Sequence, residues 1–159
     1  MWMMIGDSCV KMKTERVILE KINYYFSKTN MIENKKLILL VEDDIFVKDI
    51  YNHKLTADGY EVAMVGSGTE ALEFMEKRKP DLILLDIVMP YMDGKEALGR
   101  IKEKEEWKKI PIIMLTNLSE AEDINETESL GADKYLIKSH FSPSEVSEKI
   151  KLMMGEGKK

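Results

Sequence analysis

From Leu37 onward, short apolar runs alternate with stretches of helical spacing. The runs lie at 37–41, 61–65, 82–85, 112–115 and 135–137, and those at 37–41, 82–85 and 112–115 are apolar at every position. A strand reads this way when both of its faces are covered, as in a parallel sheet. Between the runs, 45–57 puts Val47, Ile50, Tyr51 and Leu55 on one predicted helical face. The stretch 69–77 does so with Ala71, Leu72 and Met75, and about 94–105 with Ala97, Leu98 and Ile101. Ser67-x-x-Glu70 and Ser142-Pro143-Ser144-Glu145 have the spacing of capping boxes, the second with proline at the first helical position. Leu130-Gly131-Ala132 marks a helix end before the last strand.

Five strands, each followed by a helix, predict an α/β domain: a parallel sheet with right-handed crossovers and helices on both faces. In such sheets ligands gather outside the carboxyl ends of the strands, near the point where strand order reverses. Those ends carry Glu42 and Asp43 after the first strand, Asp86 after the third, Thr116 after the fourth and Lys138 after the fifth. Four of five strands thus deliver a polar or charged group to one rim.

The first 35 residues break the pattern. Within 14–26, Val17, Ile18, Ile22, Tyr25 and Phe26 share a face of a predicted helix. Charge changes at the same place, because residues 1–36 hold seven basic and four acidic residues while the remainder holds 17 basic and 25 acidic. The expected organisation is an N-terminal extension over 1–35, one domain over 36–155 and a tail over 156–159. Met31 stands close enough to the first strand to serve as an alternative start, which would make the preceding residues foreign to the native protein.

Composition narrows the field. The 159 residues suit one domain, and 44% hydrophobic with 33% charged residues is the balance of a soluble globular chain. A net charge of -5 gives no basic surface for nucleic acid. Cys9 is the single cysteine and cannot close an internal disulfide, which points to a reducing compartment. No apolar run is long enough to span a membrane, and the N-terminus lacks the features of a signal peptide. Together these predict a cytoplasmic protein with neither a membrane nor a nucleic-acid partner.

The rim residues need a common reason. Carboxylates converging at a strand end repel one another unless a cation joins them, and an all-oxygen set suits Mg²⁺. A carboxylate can also be the nucleophile that forms an aspartyl-phosphate, which is the role expected of Asp86. Thr116 would supply a hydroxyl donor and Lys138 a positive charge to the phosphoryl oxygens. Asp44 is expected to cap the first helix. His53 and His140 have no second histidine at ligand spacing and are expected to play no part.

The blocks Leu-Leu-Val-Glu-Asp-Asp (39–44), Asp-Leu-Ile-Leu-Leu-Asp86-Ile-Val-Met-Pro-x-Met-Asp-Gly94, Ile-Ile-Met-Leu-Thr116 and Gly-Ala-Asp-Lys-Tyr-Leu-Ile-Lys138 follow in order. Over about residues 36–154 the chain resembles the response-regulator receiver domains of two-component signalling. The resemblance implies a flavodoxin-like (βα)5 sandwich with sheet order 2-1-3-4-5. It further implies that Asp86 accepts a phosphoryl group from a sensor histidine kinase or a histidine phosphotransfer protein. Mg²⁺, with Mn²⁺ as the alternative, would be held by Asp43, Asp86, the backbone carbonyl of Val88 and, through water, Glu42. Thr116 and Lys138 would contact the phosphoryl group, and Tyr135 would be the aromatic switch that turns inward as Thr116 moves. Pro90 and Gly94 would shape the loop after the acceptor. The chain would not be an enzyme beyond its own phosphorylation and dephosphorylation. Its fourth-helix, fifth-strand and fifth-helix face would bind a downstream protein, as a monomer or a phosphorylation-dependent dimer.

Three departures qualify the resemblance. Family members commonly carry proline after the lysine, often through a cis bond, whereas Ser139 follows Lys138 here. Either a strained peptide or a changed loop is expected. Asn117 replaces a usually small residue and narrows the approach to Asp86. Val88 and Leu118 are apolar at the two positions flanking the phosphoryl group and cannot position a water, which predicts slow self-dephosphorylation. Only Gly155 to Lys159 follow the last helix, so a stand-alone receiver is expected.

Competing readings fit less well. A phosphatase of the haloacid-dehalogenase type wants a second aspartate two residues after the nucleophile, where Val88 stands, and its acidic pair late in the chain. An FMN site would be repelled by Glu42-Asp43-Asp44 after the first strand. A degenerate receiver that never takes phosphate is opposed by the complete acceptor set.

Overall fold

The computed structural model describes Glu20 and residues 35–156. The chain divides into two units, Met1–Lys35 and Lys36–Lys159. The helix expected over 14–26 lies outside the described residues except for Glu20, which is helical and exposed.

In the second unit the elements run β1 (Leu37–Val41), α1 (Ile45–Ala57), β2 (Glu61–Val65), α2 (Gly68–Lys77), β3 (Leu82–Leu85), α3 (Gly94–Glu103), β4 (Ile112–Thr116), α4 (Ala121–Ser129), β5 (Lys134–Ile137), a single 3-10 turn (Lys138–His140) and α5 (Pro143–Met153). The five strands form one parallel sheet of order β2-β1-β3-β4-β5. The parallel α/β sheet is what the strand and helix pattern predicts, and its order is the flavodoxin-like one that the resemblance implies.

The three fully apolar runs became β1, β3 and β4, and every one of their residues is buried. Alternation along each strand sends side chains to opposite faces. On one face Leu39, Val41, Ile83, Leu85, Ile112 and Met114 meet Ala71 and Met75 of α2 and Ala97, Leu98 and Ile101 of α3. On the other, Ile38, Leu40, Leu82, Leu84, Ile113 and Leu115 meet Tyr51 and Leu55 of α1 and Val146 and Ile150 of α5. Each buried Leu, Ile, Val or Met side chain among these contributes about 1.5–3 kcal/mol.

Two local expectations need correction. Ile50 does not face inward and is 55% exposed. The buried stripe of α1 follows Tyr51 and Leu55, four residues apart, with half-buried Val47 four before, and leaves Ile50 to one side. Ser67-x-x-Glu70 forms only half a capping box: Ser67 accepts from the Glu70 amide at 3.3 Å, but the Glu70 carboxylate turns to the Gly66 amide at 2.9 Å. The Ser142–Glu145 box at α5 is complete.

Candidate functional site

Strands β1 and β3 are neighbours, with Val41 opposite Leu85, and each ladder continues one residue past the last pair. The Glu42 amide donates to the Val65 carbonyl at 3.1 Å and the Asp86 amide to the Val41 carbonyl at 3.0 Å. Glu42 and Asp86 therefore emerge side by side at the carboxyl rim, where strand order reverses between β1 and β3. Asp44 then caps α1, its Oδ1 accepting from the Phe46 amide at 2.8 Å and the Val47 amide at 3.1 Å. That cap turns the chain away and leaves Asp43 exposed at the rim.

Carboxylate oxygens of Glu42, Asp43 and Asp86 all lie within 4.8 Å of one another. Glu42 and Asp86 are buried, and no compensating distance separates their charges. Lys138 answers them, with its Nζ donating to Asp86 Oδ2 at 2.7 Å and to Glu42 Oε2. The second Asp86 oxygen accepts from the Ile87 amide at 2.6 Å, and Glu42 Oε1 from the Asp44 amide at 3.1 Å. Burial pushes the Glu42 carboxyl up, against the opposing pull of Lys138. For Lys138, burial alone would lower the ammonium pKa, but its hydrogen bonds to Asp86 and Glu42 outweigh that and raise it.

Lys138 reaches the cluster without a proline behind it. The Lys138–Ser139 peptide is trans, and Lys138–His140 forms a single 3-10 turn, so the loop is the element that differs. Thr116 ends β4 fully buried, and its Oγ1 accepts from the Leu118 amide at 3.4 Å. The Tyr135 hydroxyl donates to the Leu118 carbonyl at 3.0 Å. The two expected switch residues thus grip both polar groups of Leu118 rather than the acidic cluster. Asn117 and Val88 are exposed, and Leu118 is half-buried against the core.

The loop from Asp86 to α3 is drawn tight. The Gly94 amide donates to the Ile87 carbonyl at 2.9 Å, and a Cβ at Gly94 would stand 2.0 Å from the Asp86 carbonyl oxygen. Glycine is required there because no side chain fits. Two residues at the site escaped the sequence reading. Tyr51 is buried on the α1 side, its hydroxyl pKa raised by burial with Lys138 opposing and Glu42 adding. Gly68 touches the loop from α2. Tyr51 was expected only as an inward residue of the first helix, and Gly68, one residue before the predicted 69–77 helix, drew no expectation; only tertiary packing brings either to the site.

Three carboxylates converging with oxygen donors alone fit a hard divalent cation. His53 and His140 lie off this cluster among the described residues.

Comparison with known proteins agrees with this geometry. Residues 38–151 match the response regulator receiver domain family. The probable transcriptional regulator ycf27 of Cyanophora paradoxa is 40% identical over 121 residues, covering 76% of this chain and 49% of that protein. The chain thus spans about half the length of the curated relatives it matches. The chemotaxis protein CheY4 of Vibrio cholerae superposes with a TM-score of 0.70 at 31% identity, covering 74% of this chain and 98% of that one. The receiver domain of a sensor histidine kinase from Pseudomonas aeruginosa, solved with magnesium in its active-site cleft, gives a TM-score of 0.70 at 30% identity, covering 76% and 98%. Fold, rim chemistry and relatives agree: this chain belongs to the response-regulator receiver family.

Proposed function

We propose that Asp86 accepts a phosphoryl group from the phosphohistidine of a sensor histidine kinase or histidine phosphotransfer protein. The observation that carries this reading is the juxtaposition at Asp86, where two further carboxylates lie within 4.8 Å and the Lys138 ammonium within 2.7 Å. A carboxylate oxygen of Asp86 forms the new bond to phosphorus, the phosphorus–nitrogen bond breaks, and the imidazole leaves with that electron pair. Asp43 and Asp86, with the Val88 carbonyl and Glu42 through water, would hold Mg²⁺ or Mn²⁺. The ion would offset the charge gathered on the phosphoryl oxygens. Lys138 is already charged and within reach, so it can pass from the carboxylates to the incoming phosphoryl oxygens. The Thr116 hydroxyl would donate to the same group on leaving the Leu118 amide. Asp86 is consumed and regenerated, and the chain turns over no separate substrate.

Signalling would proceed through the face of α4, β5 and α5. Tyr135 and Thr116 both hold Leu118, at the entry to α4, so a change at Thr116 reaches that face directly. The expectation of a stand-alone protein gains no support, since the curated relatives are about twice as long. Nor does the expected absence of nucleic-acid contact, since relatives carry the name of transcriptional regulators.

The test is intact mass after incubation with Mg²⁺ and a small acyl phosphate. Wild type should gain one phosphoryl group, and Asp86→Asn none. No gain in wild type would mean a degenerate receiver, and steady release of free phosphate would mean a phosphatase.

A further inference from the structure

We propose that Gly68, the first residue of α2, positions the loop after Asp86 and so sets how well the acidic cluster fits a small octahedral cation. This rests on the metal reading above and adds a residue that touches none of the carboxylates.

The loop is pinned at two feet. At the first, Ile87 is buried and its carbonyl accepts from the Gly94 amide. At the second, Met92 is buried, its amide donates to the Pro90 carbonyl at 2.9 Å, and its carbonyl accepts from the Gly68 amide at 3.1 Å. Between them Val88 and Tyr91 stand in solvent, 61% and 96% exposed. Among the described residues, Gly68 makes the one hydrogen bond that reaches the main chain of 88–92 from outside the loop and α3.

Contact is as close as the missing side chain allows. A Cβ at Gly68 would lie 2.8 Å from Met92 Cγ, 2.9 Å from Ala97 Cβ and 2.9 Å from the Met92 carbonyl oxygen. Met92 Cγ could swing aside, but the other two atoms cannot rotate away. Ordinary contact begins at 3.4 Å, so about 0.5 Å has to come from main-chain movement. Helix α2 is poorly placed to give it, because Ala71 and Met75 are locked in the core and Ser67 caps its start. Ala97 of α3 is locked in the same core, so the Met92 carbonyl, at the foot of a loop exposed at Val88 and Tyr91, is the contact left to yield, and with it the carbonyl of Val88.

Such a displacement bears unequally on different ions. Mg²⁺ demands near-ideal octahedral geometry at about 2.0–2.1 Å, whereas Ca²⁺ accepts six to eight oxygens at about 2.3–2.6 Å in irregular arrangements. A merely structural glycine would affect both alike. A residue that positions ligands should be felt mainly by Mg²⁺.

The experiment titrates wild type, Gly68→Ala, Met92→Leu and Gly99→Ala with MgCl2 and, separately, CaCl2 by calorimetry, with thermal melts run alongside. Gly99 is the control, since a Cβ there meets only Leu130 Cδ2, at 3.9 Å. Met92→Leu conserves volume but branches at the atom lying over Gly68, and keeps the test open should Gly68→Ala fail to fold. Gly99→Ala should keep the wild-type affinities. Gly68→Ala should lose about tenfold for Mg²⁺ and no more than about twofold for Ca²⁺, the lower end of what outer-shell changes cost. Met92→Leu should move the ratio the same way by less. An unchanged ratio, or equal losses for both ions, in the variants that fold overturns the positioning role and leaves the metal site standing. Failure of wild type to bind either ion overturns the metal reading together with it.

Discussion

At Tyr91 the main chain takes φ of 67°, and the Met92 amide donates back to the Pro90 carbonyl at 2.9 Å. This is a γ-turn of the strained kind, and a bulky residue at positive φ costs about 1–2 kcal/mol. The ring is exposed and gains little packing in return. Tyr91→Gly should therefore stabilise the fold by about 1 kcal/mol, read as a higher urea midpoint with an unchanged slope. A lower midpoint would show that the tyrosine ring earns its place through contacts. Lys138 presents the opposite case. Its ammonium is what makes two buried carboxylates tolerable, and removing one partner of a buried ionic group costs about 3 kcal/mol or more. Lys138→Met should lose about that much in metal-free urea melts, and millimolar Mg²⁺ should restore part of it by neutralising the same oxygens. A loss below about 0.5 kcal/mol would mean that the carboxylates are not held charged by Lys138.

Among the elements, the strands were the most legible part of the sequence. Runs of four or five apolar residues leave no alternative to burial on both faces, and β1, β3 and β4 are buried throughout. The site residues at the strand ends were legible for the same reason: a strand end fixes which rim a residue joins. Helix faces were less so. Ile50 is as apolar as Leu55, and only the angle at which α1 lies on the sheet decides that Leu55 is covered and Ile50 is not. Gly68 and Tyr91 were illegible, because their roles depend on how α2 meets a loop more than twenty residues away. The link between α1 and α5 was likewise invisible. Asp58, at the C-terminal end of α1, accepts from the buried Ser147 hydroxyl of α5 and from Lys54 Nζ at 3.0 Å, with Lys151 at 3.9 Å. The Ser147 hydrogen bond, against some burial, holds the Asp58 carboxyl below its ordinary value. A carboxylate whose native pKa is depressed contributes stability that is complete above the unfolded value of about 3.9. That contribution fades as pH falls through the lowered native value. Asp58→Asn should then cost about 1 kcal/mol at neutral pH, with the gap to wild type closing in acid. Urea melts from neutral pH to well below the carboxylate range will show this, and a gap independent of pH would mean that the loss comes from packing.

For the molecule as a whole, the proposed function turns on how long Asp86 would keep a phosphoryl group, since that would set how long the partner face stays switched. Hydrolysis needs a water aligned behind phosphorus, and a polar group to align it. The residues that the family resemblance puts at the two flanking positions are Val88, exposed and apolar, and Leu118, apolar and half-buried against the core. Leu118 is also held at both polar groups of its backbone, by Thr116 and Tyr135, which fixes its main chain at the entry to α4. Neither apolar side chain can orient a water by hydrogen bonding, and Asn117 is exposed. The phosphorylated protein should persist for many minutes in Mg²⁺, followed as loss of the added mass after the phosphodonor is removed. Val88→Glu, which puts a carboxylate at the mouth without touching the core, should shorten that lifetime about tenfold. A wild-type lifetime of seconds would mean that water reaches phosphorus by a path these two side chains do not guard. A long lifetime unmoved by Val88→Glu would place the barrier in the grip on Leu118. The same two hydrogen bonds that hold the entry to α4 would then also time the signal.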